Sequence, residues 1–157
     1  MDKFVLVLYN VRSRFNVGAI FRTADAAGID KIYLCGITPA PPHPKIDKVS
    51  LGAEKYISFE KYKQTKRLLK QLKKQGCFII ALEQSKKSVP YYKLKSKFPL
   101  ALLVGSEVRG LPVSLLNECH KIIEIPMYGR KESLNVAVAT GITIFDIIKK
   151  GRGGGTP

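Results

Sequence analysis

Five apolar runs of strand length recur along the chain, at Phe4–Tyr9, Lys31–Cys35, 77–82, Leu100–Val104 and 122–125, and segments of helical period fall between them at about 17–27, 60–75, 113–118 and 133–149. This alternation specifies an α/β fold, a mostly parallel sheet flanked by helices. Gly28 and Gly76 sit just past two of the expected helices, where a left-handed residue commonly ends a helix. The stretch Pro39-Ala40-Pro41-Pro42-His43-Pro44 can continue neither a helix nor a central strand and is expected to be an extended loop. At 157 residues and 45% hydrophobic content, the chain suits one domain, expected over residues 1–150, followed by a flexible glycine-rich tail over 151–157.

The net charge of +15 points to an anionic polymer as partner, with nucleic acid the leading class. Residues 60–97 hold 12 Lys or Arg against only Glu60 and Glu83, so the charge forms a patch. A solvated lysine-rich helix is the alternative reading of that run. Tyr91 and Tyr92, beside Lys86, Lys87 and Lys93, suit stacking on exposed bases as well as core packing. No window is long and apolar enough for a membrane span, and the N-terminus has no signal-peptide pattern, so a soluble cytoplasmic protein is expected. Cys35, Cys77 and Cys119 are widely spaced in apolar surroundings and are expected to be reduced core residues. His43 and His120 lack acidic or thiol neighbours at ligand spacing, so no metal site is expected.

In open α/β sheets the ligand lies beyond the carboxyl ends of the strands, so the loops that follow each strand carry the chemistry. Neither a Walker loop nor a Gly-x-Gly-x-x-Gly fingerprint is present. Three loops stand out. The first, from Asn10 to Arg22, carries Arg12, Arg14 and Arg22, whose guanidinium forks suit phosphate; a salt bridge to Asp25 or Asp30 is the other reading of Arg22. The second is Gly105-Ser106-Glu107-Val108-Arg109-Gly110-Leu111, whose glycines let backbone approach a ligand. The third runs through Ile125-Pro126-Met127 to Ser133-Leu134-Asn135, where Ser133 is a candidate N-cap and Asn135 falls inside the first turn of the last helix. That helix is apolar nearly all round and needs cover on most faces, from a large core or a second subunit.

These three segments, in this order and at strand ends, resemble the SpoU/TrmH branch of the SPOUT methyltransferases, and the resemblance covers nearly the whole chain. Its motifs here are Asn16-Val17-Gly18-Ala19-Ile20-Phe21-Arg22-Thr23-Ala24, then Leu103-Val104-Gly105-Ser106-Glu107 with Arg109-Gly110-Leu111, then Ile125-Pro126-Met127 with Ser133-Leu134-Asn135-Val136-Ala137-Val138-Ala139. The resemblance implies a C-terminal deep trefoil knot, a homodimer, and S-adenosyl-L-methionine bound among the knotted loops near Leu82, Gly105, Ile125, Met127 and Leu134. The implied reaction is methyl transfer to a ribose 2′-hydroxyl of RNA; the compactness of the chain favours transfer RNA as the expected substrate, with ribosomal RNA open.

Arg22 matches the family's catalytic arginine. A guanidinium stays protonated, which favours clamping the target phosphate and stabilising the developing alkoxide over acting as base; the base is left open. Asn16 and Glu107 are expected to orient that arginine and the loops, and Ser133 and Asn135 to shape the place where donor and ribose meet. A knotted RNA-binding module without activity and a SPOUT enzyme that methylates a base are the alternatives. Where relatives carry added RNA-binding segments, this sequence offers its own lysine-rich run, so RNA affinity is expected to come from the catalytic domain.

Overall fold

A computed structural model of the chain describes residues 3–151. It contains seven strands: β1 (Phe4–Tyr9), β2 (Lys31–Cys35), β3 (Ser58–Tyr62), β4 (Phe78–Leu82), β5 (Val89–Pro90), β6 (Leu100–Val104) and β7 (Lys121–Glu124). They form one sheet in the order β3-β2-β1-β6-β4-β7-β5, and every pairing is parallel. All strand ends of one polarity therefore lie along one edge. Leu8 of β1 is level with Leu34 of β2 and Val104 of β6, and Val104 with Leu82 of β4.

The helices are α1 (Arg14–Ala27), α2 (Pro44–Ser50), α3 (Thr65–Lys74), α4 (Val113–Leu116) and α5 (Val136–Gly151). They divide the core between the two faces of the sheet. Phe4, Leu6 and Leu8 of β1 and Leu100, Leu102 and Val104 of β6 face a cluster shared with α1, α2 and α5. Val5, Val7, Ala101 and Leu103 face the opposite cluster, with Leu68, Leu69 and Leu72 of α3 and Leu115 of α4. Central strands buried on both faces explain why β1, β2, β4 and β6 read as continuous apolar runs.

The structure corrects the sequence reading at several elements. The segment 60–75 is not one helix: residues 58–62 form β3, and α3 begins only at Thr65. As an edge strand β3 keeps charges, including Glu60, whose carboxylate meets Lys31 Nζ at 3.0 Å, and this obscured it. The proline-rich loop ends sooner than expected. Pro44 is the first residue of α2, and the His43 ring accepts a hydrogen bond from Lys45 N–H as its cap. Helix α1 starts at Arg14, capped by Ser13, and ends at Gly28 with φ +71°, as expected for its C-terminus. Of the tail expected over 151–157, Gly151 closes α5 and the remainder lies outside the described residues.

Gly18 lets α1 cross α2 closely, because a Cβ there would lie 2.7 Å from the Ile46 carbonyl oxygen and 2.9 Å from Val49 Cβ. Gly18→Ala should gain about 1 kcal/mol of helix propensity but lose about 1–3 kcal/mol to overpacking against backbone that cannot swing away. The clash wins, and chemical denaturation is expected to show the variant less stable than the intact chain. A more stable variant would show that the α1–α2 crossing relaxes without cost.

Candidate active site

The three loops singled out in the sequence converge beyond the carboxyl edge of the sheet, around a cavity of about 630 Å³. Leu82 and Glu83 close it from the end of β4, Gly105 to Gly110 from the end of β6, and Ile125, Met127 and Ser133 to Asn135 from the long connection between β7 and α5. Asn16, in the first turn of α1, completes the wall.

A continuous hydrogen-bond chain ties these loops together. Glu107 accepts from Arg12 N–H at 3.1 Å with one carboxylate oxygen, and with the other from Ser13 N–H at 3.0 Å and from the Asn16 amide at 3.2 Å. The Asn16 side-chain Oδ1 in turn accepts from Asn135 Nδ2 at 3.0 Å. Asn135 Oδ1 then accepts from Ala137 N–H at 2.8 Å and Val138 N–H at 3.2 Å. One side chain of each motif therefore takes part. Asn135 is the residue that caps α5, which starts at Val136, so it precedes the first turn, and Ser133 is not the cap. Ser133 lines the cavity from the connection.

The Glu107 carboxyl titrates below the usual carboxylate range. Its partial burial pushes it up, but the N–H groups of its own backbone, Ser13 and Arg12 and the Asn16 amide pull it further down. Because its folded value lies below its unfolded one, the stability Glu107 contributes is present at neutral pH and is lost as pH falls through the folded value. Glu107→Gln should cost about 1 kcal/mol at pH 7, discounted for solvent exposure. That deficit should shrink on acidification, and urea titrations from pH 7 to pH 3 check it. A deficit that does not change with pH would show that the carboxylate charge is irrelevant to this hydrogen-bond chain.

Four glutamates line the cavity, Glu83, Glu107, Glu124 and Glu132. Sequence reasoning missed all but Glu107. Glu83 accepts from Leu111 N–H at 2.6 Å and from Gln84 N–H at 3.0 Å, joining the loop after β4 to the loop after β6. Its position one residue past a strand was the only signal that could have marked it. Gln84 Nε2 reaches across to the Glu132 carbonyl at 2.7 Å.

All five residues expected around the donor, Leu82, Gly105, Ile125, Met127 and Leu134, line the cavity, as do Asn16, Glu107, Ser133 and Asn135. Arg22 does not. It lies exposed on α1, nearly two helical turns beyond Asn16, and forms no ion pair with Asp25 or any other carboxylate among the described residues. The cysteine thiols are pushed up by burial, Cys35 and Cys77 to about 11 and Cys119 to about 12, which leaves them protonated and unreactive at neutral pH. Among the described residues no cluster of His, Cys, Asp or Glu could hold a metal ion, and no helix is long and apolar enough to cross a membrane.

Residues 3–145 match the model of the SpoU rRNA Methylase family. The tRNA (guanosine(18)-2′-O)-methyltransferase of Aquifex aeolicus is 36% identical over 138 residues, covering 87% of this chain and 64% of its own length. An AdoMet-bound rRNA methyltransferase from Sinorhizobium meliloti superposes with a TM-score of 0.88 at 34% identity, over 94% of this chain and 56% of that one. A structure described under 2-OH methylation of C/U34 on tRNA matches with a TM-score of 0.85 at 27% identity, over 97% of this chain and 98% of its own. The chain thus spans about three-fifths of the length of the curated relatives it matches.

Proposed function

Because the chain belongs to the SpoU rRNA methylase family, we propose that it is an RNA methyltransferase, transferring the methyl group of S-adenosyl-L-methionine to a ribose 2′-hydroxyl. The observation that carries this reading is the convergence of Asn16, Glu107 and Asn135 on one cavity at the ends of parallel strands.

The residues present fit such a donor. The cavity falls within the usual ~300–1,000 Å³ of small-molecule sites and is apolar at Leu82, Ile125, Met127 and Leu134, where an adenine ring can pack. The glutamates among its lining residues suit the positive sulfonium and amino groups of the donor. Bound there, the donor supplies an already electrophilic methyl carbon. What remains for the protein is to align the hydroxyl, assist loss of its proton and exclude water. Asn16, Glu107 and Asn135 hold the three loops in register, and Ser133 faces the space where donor and ribose meet. Arg22 binds the target phosphate and stabilises the developing alkoxide.

We infer that the working form is a homodimer. Leu134, Val138, Ile142 and Phe145 recur at helical spacing along α5 and its entry, and remain 38%, 52%, 37% and 48% exposed in one copy. An apolar stripe of this kind calls for cover. Helix α1 runs beside it, since a Cβ on Gly141 would meet Thr23 Cγ2 at 3.4 Å. Arg22, next to Thr23, then lies near the seam between copies, where it reaches the cavity of the partner. The C-terminal connection is read as a trefoil knot. Support comes from β6 lying between β1 and β4, and from the Gln84–Glu132 bond across the loops.

Transfer RNA is the substrate we favour, in the cytoplasm, supported by the relative matched over nearly its whole length, whose description concerns tRNA. The lysine-rich region gives RNA a face: Lys66, Arg67, Lys70 and Lys74 are exposed on α3, while Leu68, Leu69 and Leu72 turn inward. Incubation with labelled donor and either total tRNA or ribosomal RNA, followed by nucleoside mapping, tests the reading. A 2′-O-methylnucleoside from tRNA is expected, with affinity falling steeply between about 50 and 200 mM salt. A methylated base, or donor binding without transfer to any RNA, would overturn it.

A further inference from the structure

The loop from Gly105 to Leu111 has a second side. It faces another cavity, of about 460 Å³, walled by Tyr9, Asn10, Arg12, Ile37, Arg109 and Pro112. Ser106, Val108, Arg109 and Gly110 line both cavities, so the thickness of one loop separates them. Their chemistry is opposite. No Asp or Glu is among the residues that line the second cavity, whereas four Glu line the first.

Neither Arg12 nor Arg109 forms an ion pair among the described residues. The backbone of Arg12 is fixed all the same, because its N–H donates to Glu107 at 3.1 Å and leaves the guanidinium available. The opposite rim is fixed too. Asn10, at φ +52°, accepts a hydrogen bond from Ile37 N–H at 3.0 Å. Ile37 and Val108 are 58% and 78% exposed and, with Tyr9 and Pro112, supply apolar and aromatic surface. Two guanidinium groups without an ion pair among the described residues, beside such a surface, match one nucleotide of an RNA strand. The phosphate suits the forks and the base suits the wall.

Resting on the methyltransferase reading above, we propose that this cavity seats the nucleotide adjoining the methylated ribose, with its phosphodiester held between Arg12 and Arg109. The shared loop then couples the two halves of the reaction: Glu107 holds it from the β1–α1 side, and Arg109 reaches from it to the RNA. The cavity fixes which 2′-hydroxyl along the strand faces the donor.

The test uses Arg12→Gln, Arg109→Gln, their double variant and Arg12→Lys in the full chain, with total tRNA as probe. Methyl transfer is measured against RNA concentration at several salt concentrations, and donor affinity by calorimetry. For Arg12→Gln the KM for RNA should rise about tenfold with donor affinity within twofold, since Arg12 does not line the first cavity. The slope of log affinity against log salt should become shallower by roughly 0.7–0.9 per arginine removed. Arg12→Lys should keep the slope but lose several-fold in KM, because it retains the charge without the fork. Unchanged KM and slope in Arg12→Gln and in the double variant would overturn the proposal. Should the intact chain bind donor and RNA but transfer no methyl group, the functional reading fails. Gel-shift affinities of the same variants then decide the cavity by the same slopes.

Discussion

Arg22→Ala is expected to lower methyl transfer to RNA by about a thousandfold or more while leaving donor affinity within a factor of two. The size follows from the role: removing one preorganised donor to a developing oxyanion typically costs about 10²–10³ in rate, and Arg22 is also assigned the phosphate. The selectivity follows from the assigned role, because Arg22 is absent from the walls of its own 630 Å³ cavity and, across the dimer, is assigned to the RNA phosphate rather than to the donor. Mixing makes the prediction sharper. A heterodimer of an Arg22→Ala subunit with an Asn16→Asp subunit contains one intact cavity facing one intact arginine only if Arg22 acts across the dimer. Recovered activity on mixing two dead variants is the expected result. Failure to recover would place Arg22 with its own cavity, and retained turnover in Arg22→Ala alone would remove it from the mechanism.

Asn16→Asp is expected to be more damaging than Asn16→Ala, although it is closer in shape. Asn16 is 6% exposed and faces a carboxylate through its amide nitrogen and another amide donor through its oxygen. Alanine leaves the Asn135 amide and one Glu107 oxygen without this partner, a loss of about 1–3 kcal/mol. Aspartate keeps the acceptor for Asn135 but sets a second negative charge where an N–H had donated to Glu107 at 3.2 Å. Like charges that close cannot both ionise freely, so one of the pair must titrate upward. Donor binding should therefore be nearly lost in Asn16→Asp at pH 8 and partly return near pH 5, a recovery Asn16→Ala cannot show. Calorimetric titration with S-adenosyl-L-methionine at both pH values checks this. Equal defects in the two variants would mean that the amide serves shape alone.

The elements legible in the sequence were those whose burial is two-sided. Leu6, Val7, Leu102 and Leu103 admit no solvent, so their strands announce themselves as unbroken apolar runs. Strands β3 and β5 did not, because an edge strand is half solvated; Glu60 and Lys61 read as the start of a charged helix, and Val89–Pro90 is too short to pattern. Helix α2 was hidden behind prolines whose last member begins it. The polar site was legible where a residue belonged to a motif, as Asn16, Glu107 and Asn135 did. Glu83 and Glu124 belong to none: each is a single carboxylate at the end of a strand, and only folding brings it to the cavity. The position of Arg22 depends on the phase of α1 and on what packs beside it, which no local pattern encodes.

The bond between Asn16 and Asn135 joins residues 119 apart in sequence. Contacts of such range form late, since the chain must close a long loop before they return any free energy. A ribosome extruding this protein would release β1 and α1 long before their latch partner exists, and β1 would wait with one flank bare until β6 arrives to fill it. A nascent chain halted short of α5 should accordingly fail to retain the methyl donor, however well its first strands have paired. Retention of the donor by stalled chains is therefore expected only once α5 has emerged.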